Sequence, residues 1–426
     1  MNKAILLALA TVVASAGERL TLAQALELAG QMSPAIQVAR LEMLEREATS
    51  MAVRAGYGPA VNLVVGASSQ TSNLQGIGLA FPGISNRIGP YRIFNARPVL
   101  TQTVLDLSLI QEIRAARARS REAHYQAEAT REATQFAVVQ LYLQVLEAES
   151  LVRAAEARLR TAEALARQVA DREQAGSASK LDLERATGEV ANEQVRVTLA
   201  RKDGEVLKTL LTNMIGLEAP VGGLEAVSTP DTLPNIEELL PQAYRDRPEL
   251  KAIGLRTEGA GHQYQAARSQ RMPKLAAAAD YGLLGSGPQS SIGTYSASAT
   301  LSIPLWTSGR IVAEERAALL RRQQSEAQGR QQRLQVAQEV RQAIVEVNAA
   351  REALQAAQRS TAAAREVFEL TTLRVTSGLA TSLDSVVAQG RLAEAEDQEI
   401  RTRYQLQLAQ ARTARARGNV VAFLER

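Results

Sequence analysis

Between Leu107 and Ala175 the chain contains neither glycine nor proline. Those are the two residues that most often end a helix, one by freeing the backbone and the other by removing a donor. At 1.5 Å per residue, an unbroken helix over these 69 residues would reach roughly 100 Å. No compact globular domain needs such an element. The same stretch carries Val138, Leu141, Val145, Ala148, Val152, Ala155, Leu159, Ala162, Ala166 and Val169 at alternating spacings of three and four. A heptad-like stripe of that length predicts coiled-coil packing against a neighbouring helix, and its alanines predict close approach of the axes. Alanine, leucine, glutamine, glutamate and arginine dominate the composition and aromatics make up only 4%, the vocabulary of long helices.

The stripe recurs. Shifted by 202 positions it reads Val340, Ala343, Val347, Ala350, Leu354, Ala357, Thr361, Ala364, Phe368 and Thr371, and no proline follows Leu305. Gly176-Ser177-Ala178-Ser179-Lys180-Leu181-Asp182 meets Gly378-Leu379-Ala380-Thr381-Ser382-Leu383-Asp384 at the same offset. Earlier in the chain the offset is 214: Ser33-Pro34 matches Arg247-Pro248, and Pro59 matches Pro273. Such self-similarity marks a duplicated unit, with about twelve more residues in the first copy's hairpin. The expected division is a first repeat at 17–217, a linker at 218–234 and a second repeat at 235–426.

Each copy interrupts its helices once. Val61, Leu63, Val65 and Ala67 alternate with Asn62, Val64, Gly66 and Ser68. Leu275, Ala277, Ala279, Tyr281 and Leu283 alternate with Lys274, Ala276, Ala278, Asp280 and Gly282. The cleanest run places Tyr295, Ala297, Ala299, Leu301, Ile303 and Leu305 against Ser296, Ser298, Thr300 and Ser302. A period of two, apolar on one face and small or polar on the other, predicts β-strands. The hairpins are expected at about 60–105 and 274–305, with a weaker return strand at about 93–105 and loops near 71–91 and 285–293. Strands of about ten residues suit a bilayer crossing. Four cannot close a barrel and open edges are not tolerated in lipid, so three copies giving twelve strands are expected.

Other features narrow the function. The 49 basic and 45 acidic residues are interspersed and read as solvated helix faces, with no basic run interleaved with aromatics to suit nucleic acid. Cysteine is absent and there are two histidines, His124 and His262, which leaves no cysteine metal site, no H-x-x-x-H pair and no histidine catalyst to propose. No Walker loop or dinucleotide fingerprint occurs, so no cofactor, metal or enzymatic activity is expected. Asn2-Lys3, the largely apolar Ala4 to Val13 and Ala14-Ser15-Ala16 predict a signal peptide over 1–16, too short to span a bilayer.

The order of signal peptide, helix, hairpin and long helices, then the same again, resembles the TolC-like outer-membrane efflux protein family over essentially the whole mature chain. Leu20-Thr21-Leu22-Ala23-Gln24-Ala25-Leu26-Glu27-Leu28-Ala29 with Ser33-Pro34-Ala35-Ile36 is similar to its N-terminal signature, and Ile303-Pro304-Leu305-Trp306-Thr307-Ser308-Gly309-Arg310 to its strand-to-helix junction. At the matching place in the first copy, Gln102 to Ser108 lacks both the proline and the glycine. The resemblance implies a mainly α fold with a small membrane β part: a homotrimer with a twelve-stranded barrel in outer-membrane lipid and a coiled-coil tunnel in the periplasm. It implies that Gly176, Ser179, Leu181, Asp182, Gly378, Thr381, Leu383 and Asp384 lie at the periplasmic tip, where a periplasmic adaptor protein of an inner-membrane pump docks. It further implies a possible mouth ring of three Asp384 carboxylates. The residues themselves also fit helix-capping boxes, Ser179 with Asp182 and Thr381 with Asp384. Departures from the family pattern are Ala175 and Ser377 before the tip glycines, and Val375 and Ala380 where a Tyr and an Arg can lock the family's closed state. Two rival readings are an envelope coiled coil with no transport role and an enzyme on a helical scaffold.

Overall fold

Alternation at the residue level becomes a single antiparallel sheet of order β1-β2-β3-β4. Its strands are β1 (Ala60–Asn73), β2 (Arg87–Leu105), β3 (Lys274–Gly285) and β4 (Ile292–Ser302). The computed structural model describes residues 19–78, 85–227, 235–377 and 379–423. The expected signal peptide, part of the 218–234 segment and Gly378 lie outside them. The described helices are α1 (Leu22–Met32), α2 (Pro34–Ala55), α3 (Leu107–Gln174), α4 (Lys180–Ile215), α5 (Ile236–Asp246), α6 (Pro248–Ser269), α7 (Arg310–Thr376) and α8 (Ser382–Arg417). The chain forms two units, one of residues 43–124 and 252–329, the other of 1–42, 125–251 and 330–426.

In the first unit the register sorts side chains by face, since directly opposite residues project to the same side of a sheet. Val61 stands opposite Leu100, Leu100 opposite Ala279 and Ala279 opposite Ala297. Leu63 with Pro98 and Tyr281 with Tyr295 belong to the next row of that face. The other face carries Asn62, Val99, Asp280 and Ser296 in one row and Thr101, Ala278 and Ser298 in another. The apolar face is bare in the single chain: Val61 is 67% exposed, Leu63 71% and Tyr295 80%. Water would not leave such a face uncovered, whereas hydrocarbon would accept it. Leu305 and the only tryptophan, Trp306, are also exposed just past β4, where an aromatic side chain suits a membrane interface. No helix among the described residues is long and apolar enough to cross a membrane.

The return strand starts at Arg87, six residues before the expected Ile93. Gly89, Pro90 and Arg92 break the side-chain alternation there, yet backbone pairing with Gln70, Ser72 and Asn73 holds the strand. At the end of β2, where the junction lacks proline and glycine, Asp106 takes over. Its carboxylate accepts from the backbone of Ser108 at 2.9 Å and Leu109 at 3.1 Å, and Lys274 Nζ donates to it at 2.8 Å. A side-chain cap thus starts α3. The equivalent start of α7 turns instead through Ser308 and Gly309, both with positive φ.

In the second unit every position of both heptad-like stripes is buried or half-buried. Leu22, Ala25, Leu26 and Ala29 of α1 share a core with Val138, Tyr142 and Val145 of α3 and with Leu211 and Ile215 of α4. Leu239 and Ala243 of α5 do the same with Val336, Val340 and Ala343 of α7 and Ala416 of α8. The segment expected as a linker is anchored at two residues of its described part. Val221 and Leu224 are buried, and Leu224 bridges to Leu20. The fully buried Tyr142 hydroxyl lies 2.7 Å from the Leu20 carbonyl and 2.8 Å from that of Glu225, and it accepts from the Glu225 N–H at 3.1 Å. Burial pushes its phenol well above the ordinary value, so it stays neutral and able to donate.

Candidate functional site

Two helix-to-helix turns lie side by side in the second unit. At the first, Gly176 has φ +71, a left-handed conformation that costs residues with a Cβ about 1–2 kcal/mol. That twist lets the Ser177 N–H donate to Arg172 O at 2.7 Å and the Gly176 N–H to Glu173 O at 2.9 Å, closing α3 with a Schellman motif. At the second turn the Leu379 N–H donates to Arg374 O at 2.8 Å, the same bond 202 residues later. Gly378 lies outside the described residues. Val169, Arg172, Leu181, Val375, Ala380 and Leu383 contribute to the lining of one open cleft shared by both turns.

Each turn then starts its next helix with a capping box. Ser179 Oγ accepts from the Asp182 N–H at 3.1 Å while Asp182 Oδ2 accepts from Ser179 Oγ at 2.6 Å. Thr381 Oγ1 accepts from the Asp384 N–H at 3.3 Å, and Asp384 Oδ2 takes the Thr381 N–H at 2.8 Å and hydroxyl at 2.7 Å. The reciprocal bonds satisfy donors a helix start leaves unpaired. They also hold the Asp384 carboxyl below its ordinary 3.8: the Thr381 hydroxyl contributes most, then its N–H, and the charge of Arg374 adds to them. Asp384 is exposed and ionised at neutral pH. Leu181 and Leu383 are exposed too, so each turn pairs a cap with a bare leucine.

Residue types and spacing alone did not disclose the ion cluster on the same helices. Arg158 of α3, almost fully buried, sits 3.7 Å from Glu193 of α4 and 2.8 Å from Asp397 of α8. Glu193, 1% exposed, also takes Arg196 at 2.7 Å. Positions 202 further on hold Ser360 and Ala395, so the cluster breaks the duplication, and its Arg158 to Asp397 separation of 239 residues left no local signal. Among the described residues no cluster of His, Asp and Glu is arranged to hold a metal.

The chain is similar to the pyoverdine export outer membrane protein OpmQ of Pseudomonas putida, 26% identical over 277 residues and 64% of the chain, and of Pseudomonas aeruginosa, 27% identical over 275 residues and 62% of the chain. It spans 58% and 57% of the lengths of these curated relatives. In fold it matches the open-state MtrE outer membrane channel of Neisseria gonorrhoeae, with TM-score 0.80 over 94% of this chain and 89% of that chain at 18% identity. The family model described as outer membrane efflux protein matches residues 25–216 and 239–419. The chain belongs to the outer membrane efflux protein family.

Proposed function

We propose that three copies of this chain form the passive outer-membrane exit duct of an export system whose energy and substrate choice reside in an inner-membrane pump. One observation carries the reading: a single chain combines a sheet with one bare apolar face and two open edges with long, stripe-packed helical hairpins. The sheet is a third of a barrel that only association can close, because lipid tolerates no unpaired edge. The export role named for the OpmQ relatives supports outward passage of a solute. In this reading the turns at Gly176 and Gly378 are the periplasmic tips. Ser179 and Thr381 hold them in shape, and Leu181 and Leu383 offer apolar contact to an adaptor. Asp182 and Asp384 complete the caps, and three Asp384 carboxylates ring the tunnel mouth. An envelope coiled coil without transport would leave the alternating strands unused.

The test is export in a strain carrying pump and adaptor. Gly176→Asp adds a charge and left-handed strain of about 1–2 kcal/mol to the turn; Leu181→Asp adds a charge on an exposed site without that strain. Both are expected to abolish pump-dependent export while heat-modifiable trimers remain in outer-membrane extracts. Intact trimers with unchanged export from both variants would remove the docking role. An exported wild-type protein that is a soluble monomer would remove the duct itself.

A further inference from the structure

The polar face of the sheet holds a second charged site. Arg97 of β2 donates from Nη1 to Asp280 Oδ1 of β3 at 2.7 Å. Ser296 of β4 donates its hydroxyl to the other oxygen, Oδ2. The two charged side chains are 18% and 15% exposed. Gly282 lies against Arg97: a Cβ there would sit 2.5 Å from the Arg97 Cβ and 2.4 Å from Ala96 O, so only glycine lets β2 and β3 approach this closely. Around the pair, Arg97 Nε, Asn95 Oδ1 and Thr294 Oγ1 are enclosed without a hydrogen-bond partner.

The face decides what meets it. Val61, Leu63, Tyr281 and Tyr295 occupy the opposite side, which faces lipid if the sheet is a barrel segment. Arg97, Asp280, Ser296 and Ser298 then face the lumen, three times over in a trimer. A charge in a channel walled by low dielectric projects a focused field. Here each guanidinium is answered by a carboxylate on the adjacent strand.

We propose that Arg97 and Asp280 form a self-neutralising lumen ring, a polar lining that offers hydrogen-bond donors and acceptors without a net field. Charged solutes of either sign, zwitterions included, pass it on equal terms. The proposal rests on the reading of the chain as a barrel-forming protomer, and its test separates the two. The natural chain has no cysteine, so a single introduced thiol is read without background. Ser298→Cys lies two residues along β4 from Ser296, about 7 Å away on the same face; Ala297→Cys is on the other face.

The experiment measures modification of assembled trimers by cationic and anionic methanethiosulfonate reagents added from the extracellular side. The Ser298→Cys variant is expected to react with both at similar rates and the Ala297→Cys variant with neither. Adding Arg97→Gln to Ser298→Cys should raise the cation-to-anion rate ratio severalfold, and adding Asp280→Asn should lower it severalfold. The double neutral variant should restore it. Ratios unmoved by both single changes, or moved in the same direction, would overturn the ring while leaving the barrel intact. Loss of trimers in both single variants would make the pair a structural brace and also overturn it. A Ser298→Cys thiol that no reagent reaches in assembled trimers would overturn the lumen orientation itself.

Discussion

At the scale of single residues, the informative positions are charged groups that the fold has taken out of water. Arg158 stands between Glu193 and Asp397, with Glu193 buried almost completely. Removing one member of a buried pair strands the other, which costs about 3–5 kcal/mol, whereas replacing both by apolar residues is often nearly neutral. Arg158→Met should therefore lower the denaturant midpoint of assembled trimers markedly, and Arg158→Met with Glu193→Leu should recover most of the loss. Equal losses in the single and double variants would contradict this account. The Asp384 carboxyl poses a different question, charge rather than burial. Its capping bonds lower its pKa below 3.8, so they stabilise the turn fully above the unfolded value and are lost as pH falls through the lowered one. If the three carboxylates ring a mouth, block by multivalent cations in planar bilayers should persist as pH falls to the ordinary carboxylate value and disappear only as it falls further, through the lowered pKa of Asp384. Asp384→Asn, which keeps an acceptor for the cap, should relieve block about tenfold at pH 7. Unchanged block would leave Asp384 a capping residue.

The elements differ in how openly they announce themselves. The long helices were legible because a stripe from Val138 to Val169 repeats one spacing many times, and each repetition is independent evidence of one buried face. β4 was legible for the same reason, with Tyr295, Ala297, Ala299 and Leu301 on one side. β2 was harder, since Pro90 and Pro98 interrupt it and its first residues are held by backbone pairing that side chains do not encode. The capping boxes at both turns could be read, being local. Tyr142, the Arg158 to Asp397 contact and the Arg97 to Asp280 pair could not, because their partners lie 83 to 239 residues away. Arg247 is a further such case: it aligns with Ser33, a match that signals no special role. Yet it is buried, donating from Nε to Ala416 O at 3.0 Å and from Nη1 to Glu339. It thus serves the last carbonyls of α8, where a cation is favoured. Arg247→Ala should cost about 2–3 kcal/mol and make amides near Ala416 exchange faster in hydrogen-exchange measurements, while those near Ile215 stay protected. Uniform acceleration at both helix ends would contradict a local role.

At the scale of the whole molecule, β1 and β4 are the two edges of one sheet, and each protomer has to find neighbours for both. Inside hydrocarbon every backbone group left unpaired costs several kcal/mol, so a closed barrel cannot release one protomer without exposing two edges at once. Trimers assembled separately with different epitope tags and then fused into common vesicles should show no mixed species after days, whereas co-expressed chains should mix statistically. Scrambling of preformed trimers would argue against edge-sealed assembly. The same permanence has a genetic face. If a cell makes equal amounts of sound and defective chains, roughly one trimer in eight is wholly sound, and no later exchange can repair the rest. Where one bad protomer blocks the duct, a defective allele should behave as dominant, and its severity should track expression level rather than folding stability.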